Sequence, residues 1–311
     1  IIDSRGNPTL EADVYLANGI IGRASVPSGA STGEKEAIEL RDNHKEWYGK
    51  GVSKAILNIQ KVIKPALVGL SSSDIQKIDA CMIELDGTKN KSNLGANAML
   101  AVSLACVQAA ANNQNIFLFE YIHKYLHSPN TTHSKYCMPI PMMNILNGGM
   151  HADNTVDFQE FMIMPIKFSN YSEALRAGTE IFHSLKIILK KNHYSTAIGD
   201  EGGFAPNLRS NNEAIELILE AINKAGYDAG RNVCLALDVA ASEFYNSSKK
   251  KYFLESEKKN LSAKQLIKYY EQICLQYPII SIEDGLDQND WESWSHLNDL
   301  LGNQVQIVGD D

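Results

Sequence analysis

Ile279-Ile280-Ser281-Ile282-Glu283-Asp284 is a short apolar run that stops on two acids. It follows a helical pattern opened by Ser262 and carrying Leu266, Tyr269, Tyr270 and Ile273. Two other runs end in the same way. Val233–Leu237 stops at Asp238, and Val305–Val308, followed by Gly309, stops at Asp310-Asp311. Between them lie further helical patterns. Ser172 is expected to cap one that carries Ile181, Phe182, Leu185, Ile188 and Leu189. Asn211 or Asn212 opens another, with Ile215, Ile218, Leu219 and Ile222. Apolar runs this short, separated by helices, are strands of a parallel sheet covered on both faces. In a β/α barrel the chemistry sits at the C-terminal ends of the strands, where these acids fall. Three carboxylates there repel one another unless a cation joins them. Oxygen-only donors favour a hard ion, Mg²⁺ first, with Mn²⁺ as a substitute. Each acid taken singly also reads as a helix N-cap; three in successive units favour the metal.

Two more acids lie in unusual surroundings. Glu201 sits in Gly199-Asp200-Glu201-Gly202-Gly203, whose glycines let backbone approach a ligand. Glu160 follows Gln159 and opens the apolar run Phe161-Met162-Ile163-Met164-Pro165. A carboxyl at the mouth of such a strand, near other acids, is expected to have its pKa raised toward the range useful for proton transfer. A turn residue and a surface acid are the plain alternatives. His151, after Asn147-Gly148-Gly149-Met150, can reach a bound anion or serve the structure alone. The remaining histidines show no metal-ligand spacing. P-loop and GxGxxG patterns are absent, which weakens nucleotide-binding readings.

The N-terminal part has a different character. Leu10, Ala12 and Val14 alternate with polar residues, Asn18-Gly19 predicts a type I′ turn, and Ile20–Val26 returns. Pro27-Ser28-Gly29-Ala30-Ser31-Thr32-Gly33 is too rich in small residues for helix or strand and reads as a mobile loop. Val52, Ala55, Ile56, Ile59, Val62 and Ile63 form one helical stripe expected to end at Pro65. Gly95–Ala111 is apolar nearly all round, a buried helix, and Ile116–Leu126 is a third helical candidate. The polar stretch after it marks the boundary: an α+β domain over residues 1–126, a linker over 127–138, and a β/α domain over 139–311.

With 311 residues, two domains of roughly 100–200 residues each are accommodated. The net charge of −8 gives nucleic acid and anionic membranes no general attraction, so neither direct nucleic-acid binding nor membrane insertion is expected. The longest apolar stretch is too short to span a bilayer, and no leader opens the chain. Five widely spaced cysteines without a CxxC pair read as reduced thiols of a cytosolic protein.

Ser4-Arg5-Gly6-Asn7-Pro8-Thr9, Val26–Gly33, Leu94-Gly95-Ala96-Asn97-Ala98, Asn147–Asn154, Gln159–Met162, Gly199–Asn207, Ser281–Asp284 and Val308–Asp311 resemble, in order, the motifs of the enolase family. His151–Asn154 and Glu283-Asp284-Gly285-Leu286 look like its bacterial form. The resemblance implies a small α+β N-terminal domain followed by an enolase-type, TIM-like β/α barrel, here incomplete. It implies reversible dehydration of 2-phospho-D-glycerate to phosphoenolpyruvate, two Mg²⁺ per site, a cytoplasmic homodimer and, for some members, a cell-surface location. By position, Asp238, Glu283 and Asp310 match the ligands of the first Mg²⁺, and Ser31 matches the residue that joins the second as its loop closes. Glu201 matches the acid that helps the 3-hydroxyl leave, with Glu160 beside it. Gln159 and His151 match substrate-contacting positions.

Both ends read as cut, since the chain opens on Ile1 without methionine and stops after a strand. The family's Lys base and its phosphate-gripping His-Arg-Ser stretch find no match here, so residues 1–311 alone are expected to turn over little. Two other readings compete. One is another proton-abstracting enzyme of the same superfamily, acting on unphosphorylated acids. The other is a non-catalytic surface-binding or scaffold protein.

Overall fold

The computed structural model describes residues 1–29, 31–125 and 136–311. Two compact units divide them: residues 1–29, 35–125 and Tyr136 form the first, residues 31–34 and 137–311 the second, each around its own apolar core. Most of the linker expected over residues 127–138 lies outside the described residues.

In the first unit β1 (Glu11–Tyr15) and β2 (Ile21–Ser25) pair antiparallel, Glu11 opposite Ser25 and Tyr15 opposite Ile21. The expected hairpin forms, but not on a type I′ turn. Of the turn residues Gly19 alone is left-handed, and its N–H donates to the Leu16 carbonyl. That is the pattern of a type I turn closed by a glycine bulge. Asn18 is held otherwise: its Oδ1 accepts the Ile20 amide at 3.2 Å and its Nδ2 donates to Asn113 at 2.7 Å.

Next, α1 (Ser53–Asn58), a π-helical stretch over Ile59–Ile63 and α2 (Lys64–Leu67) run on continuously. Pro65 therefore does not stop this helix. Proline lacks an N–H and crowds the carbonyl four residues back, here Lys61, and the widened π turn relieves that crowding. The helix α3 (Ile75–Asp86) starts on Asp74, whose carboxylate accepts the Lys77 amide, and ends on left-handed Gly87. After it come α4 (Ala96–Asn113) and α5 (Leu118–Tyr125). Of the 18 residues of α4, 11 are buried, but Leu100 and Leu104 reach solvent, so the helix keeps an exposed strip instead of the all-round burial expected.

The hairpin lies directly on α4. A Cβ on Gly22 would overlap the backbone of Ala105 and Ala109, both fully buried. Gly22→Val is expected to force the strand off the helix and to cost about 3 kcal/mol of stability. Urea unfolding measures this, and an unchanged midpoint contradicts the contact.

The second unit begins with β3 (Met143–Asn147) and β4 (Glu160–Pro165), then α6 (Tyr171–Lys191), α7 (Asn211–Lys224) and β5 (Val233–Asp238). A small antiparallel ribbon follows: β6 (Tyr245–Asn246), β7 (Lys251–Leu254) and β8 (Lys259–Leu261). Last come α8 (Ala263–Gln276), β9 (Ile279–Glu283), α9 (Trp291–Leu301) and β10 (Gln306–Val308). The main sheet has the order β10-β9-β5-β4-β3. The expected parallel trio is present as β5, β9 and β10, while β3 and β4 add a reversed pair. Among the described residues β10 and β3 remain edges, so this TIM-barrel-like sheet is not closed.

Helix starts follow the capping rule more closely than the expected residues did. Asn170, not Ser172, accepts the Glu173 amide, and Ser210, one residue ahead of Asn211, accepts that of Glu213. Each cap is the residue whose side chain reaches the amide three positions on. Ser262 forms the capping box with Gln265. Phe161, Ile163, Leu235, Leu237 and Ile282 join the buried core with α6, α7 and α8. The alternate residues Met162, Ala236 and Ser281, adjacent in register, make a separate row on the opposite face. No helix among the described residues is long and apolar enough to cross a membrane.

Candidate metal centre

Register builds this site. Glu160 opens β4, Asp238 closes β5 and Glu283 closes β9, and the three are direct cross-strand neighbours. Because β4 runs opposite to β5, its first residue lands on the rim where β5 and β9 end. Period-two alternation then turns all three side chains to the face of Met162, Ala236 and Ser281. The row above these small and apolar residues is carboxylate.

Asp238, Glu283 and Asp284 bring carboxylate oxygens within 4.8 Å of one another. Burial, followed by Glu160 and Glu283, pushes the Asp238 carboxyl up to about 7, against one opposing bond from Gln159. Burial, then Asp284 and Asp310, raises Glu283 to about 7. Asp311 is raised by burial and by its acidic neighbours, while a bond from Ser31 works the other way. Such crowding disfavours the ionised forms, and a divalent cation held by oxygen atoms removes the conflict.

Asp284 was passed over in the sequence. It has a left-handed backbone, φ 47°, and its two carboxylate oxygens accept the Asp310 and Asp311 amides at 3.0 and 3.1 Å. In a strand, adjacent residues point to opposite faces, so the pair Glu283-Asp284 promised only one inward acid; the left-handed turn supplies the second. Asp310 is exposed and acts on Glu283 through its charge, outside the tight trio.

Gln159 is 2 % exposed and donates Nε2 to Asp238 Oδ2 at 3.0 Å, with Ser31 Oγ at 3.4 Å. Its Oε1 finds no partner among the described residues. His151 is buried, and its Nδ1 stands 3.1 Å from Glu160 Oε1. That is ion-pair distance, yet neither ring nitrogen attains hydrogen-bond geometry. Burial pulls the imidazole pKa down, but Glu160, Glu201 and Asp238 outweigh it and the net shift is upward. Glu201 is exposed at the tip of the 199–203 turn, near enough for its charge to act on His151.

The donor set fits a hard divalent ion. Its oxygen atoms converge without thiolate, and the carboxyl charge is poorly compensated. A buried amide oxygen beside Asp238 also lacks a partner among the described residues.

A family model described as "Enolase, N-terminal domain" matches residues 1–122, and one described as "Enolase, C-terminal TIM barrel domain" matches residues 135–311.

Proposed function

The chain belongs to the enolase family, and from that premise we propose that its site serves the reversible dehydration of 2-phospho-D-glycerate to phosphoenolpyruvate. The observation that carries the reading is the in-register carboxylate row Glu160–Asp238–Glu283, with Asp238 and Glu283 both raised to about 7. Asp238 and Glu283 would hold one Mg²⁺, with Asp310 as the family's third ligand and Asp284 buttressing the turn, and Ser31 would join a second. Two Mg²⁺ bound there would stabilise the charge that develops on a carboxylate substrate when the adjacent carbon loses its proton, as they do in enolase-type sites generally.

The chain's own groups do the rest. Glu201, at the tip of its turn, protonates the departing 3-hydroxyl. Glu160 shares that hydroxyl's surroundings and stands at ion-pair distance from the His151 ring, which contacts the substrate together with Gln159. No residue here matches the family's Lys base or its phosphate grip, so residues 1–311 by themselves turn over little. The protein works in the cytoplasm as a homodimer, following the family.

The test is phosphoenolpyruvate formation from 2-phosphoglycerate with Mg²⁺, in residues 1–311 and in a chain extended by the family's remaining barrel strands. Activity confined to the extended chain, and lost in Glu201→Gln or with EDTA, supports the reading. Turnover by residues 1–311 overturns the assignment of the missing base. Silence in a folded extended chain overturns the reaction.

A further inference from the structure

Residues 31–34 belong to the same compact unit as the carboxylate site. Ser31 reaches Gln159 and bonds the Asp311 carboxylate. Three residues on, Glu34 is held twice. Its amide N–H donates to Gln288 Oε1 at 2.6 Å, and Asn289 Nδ2 donates to its Oε2 at 3.0 Å.

The turn that receives Glu34 is itself anchored to the segment after β5 and to β7. The Gln288 N–H donates to Ser242 Oγ at 3.0 Å, on the segment that follows β5. The Asp287 N–H donates at 2.9 Å to the hydroxyl of Tyr252, a fully buried residue of β7. Trp294 Nε1 donates to the Asp287 carbonyl at 3.1 Å, and Asp290 caps α9 through the Ser293 amide. This plate cannot shift without disturbing buried groups, so Glu34 is fastened to a fixed point.

Between Ser31 and Glu34 the backbone lies against Asp311, and a Cβ on Gly33 would overlap the Asp311 carbonyl oxygen. The segment is thus pinned at both ends and pressed flat in the middle. A loop rich in small residues has many conformations to lose on docking, and bonds at its far end offset that loss.

We propose that Glu34 is a positioning residue: by clamping onto the Gln288–Asn289 turn it holds Ser31 over the carboxylate site. This rests on the reading of Ser31 as a residue that joins a bound Mg²⁺. Glu34 touches neither substrate nor metal, and it acts through Ser31.

Hydrogen exchange of the peptide covering residues 28–38 tests the clamp. Glu34→Ala and Asn289→Ala are each expected to exchange about three- to tenfold faster than wild type, the weight of one net hydrogen bond. The double variant is expected to be no faster than either single, since both remove one shared bond. Glu34→Gln keeps an amide oxygen for Asn289 Nδ2 and restores protection, which a purely charge-based attraction would not. Both side chains are at the surface, and unchanged circular dichroism verifies the fold. Unchanged exchange in Glu34→Ala, or a Gln variant as fast as the Ala variant, overturns the clamp. Titrating Mg²⁺ separates the two readings. The concentration that protects the peptide is expected to rise in Glu34→Ala by the same factor as exchange. If Mg²⁺ protects the peptide in no variant while the clamp effects persist, the metal role of Ser31 falls and the clamp stands.

Discussion

Asp238→Asn lowers Mg²⁺ affinity more than about a hundredfold, because even residues behind the ligands cost 10–100-fold when lost, and at the same time it raises the stability of the metal-free protein. The opposite signs have one cause. Asp238 is 8 % exposed, next to Glu160 and Glu283 in register, and pushed up to about 7. Each unit of such a shift is worth about 1.4 kcal/mol, so its ionised form costs several kcal/mol near neutral pH unless a cation is bound. Asparagine keeps the shape and removes the charge. Its Oδ1 still accepts the Ala240 amide, as Asp238 does at 3.2 Å. Its Nδ2 meets Gln159, whose unpartnered Oε1 accepts it after an amide flip. Calorimetric Mg²⁺ titration and thermal unfolding in EDTA read the two effects. A variant that binds Mg²⁺ normally, or that is less stable without metal, removes Asp238 from the centre.

The metal-free protein is more stable near about pH 5.5 than near about pH 8, and Mg²⁺ narrows or reverses that order. Asp238 and Glu283 have folded values of about 7, above the ordinary carboxylate range. Between that range and about 7 the folded protein holds protons that the unfolded chain has released. Stability therefore falls as pH rises through this window. Asp157 and Asp311, also raised, act in the same direction. His151 adds to it: its raised value gives stability present below the ordinary imidazole pKa and lost as pH climbs through the folded one. Asp42, Asp86 and Glu213 are depressed, so their contribution is lost only at more acidic pH, below this window. Melting temperatures across the range, with EDTA and with saturating Mg²⁺, give the answer. A metal-free profile that rises from acid to alkaline pH contradicts the carboxylate cluster as its source.

Local grammar was legible in the sequence. Apolar runs of four or five residues ending on acids marked β5, β9 and β10 because a doubly covered strand has no polar face to show. Ser262 marked a helix start, since its side chain satisfies an orphan backbone amide three residues on. Pro65 misled because its penalty was relieved by a π turn that no residue pattern announces.

What the order of residues determined by itself was the identity of the acids and their place at strand ends, because both depend on contacts a few residues long. Only the tertiary structure decided how those acids meet. The reversed β4 puts Glu160 beside Asp238, and the left-handed backbone at Asp284 adds an acid that a regular strand would turn to the other face. The docking of Glu34 on Gln288 and Asn289 joins residues more than 250 positions apart. Strand direction, register and a single backbone dihedral are set by packing across the whole unit, so no local pattern of side chains encodes them.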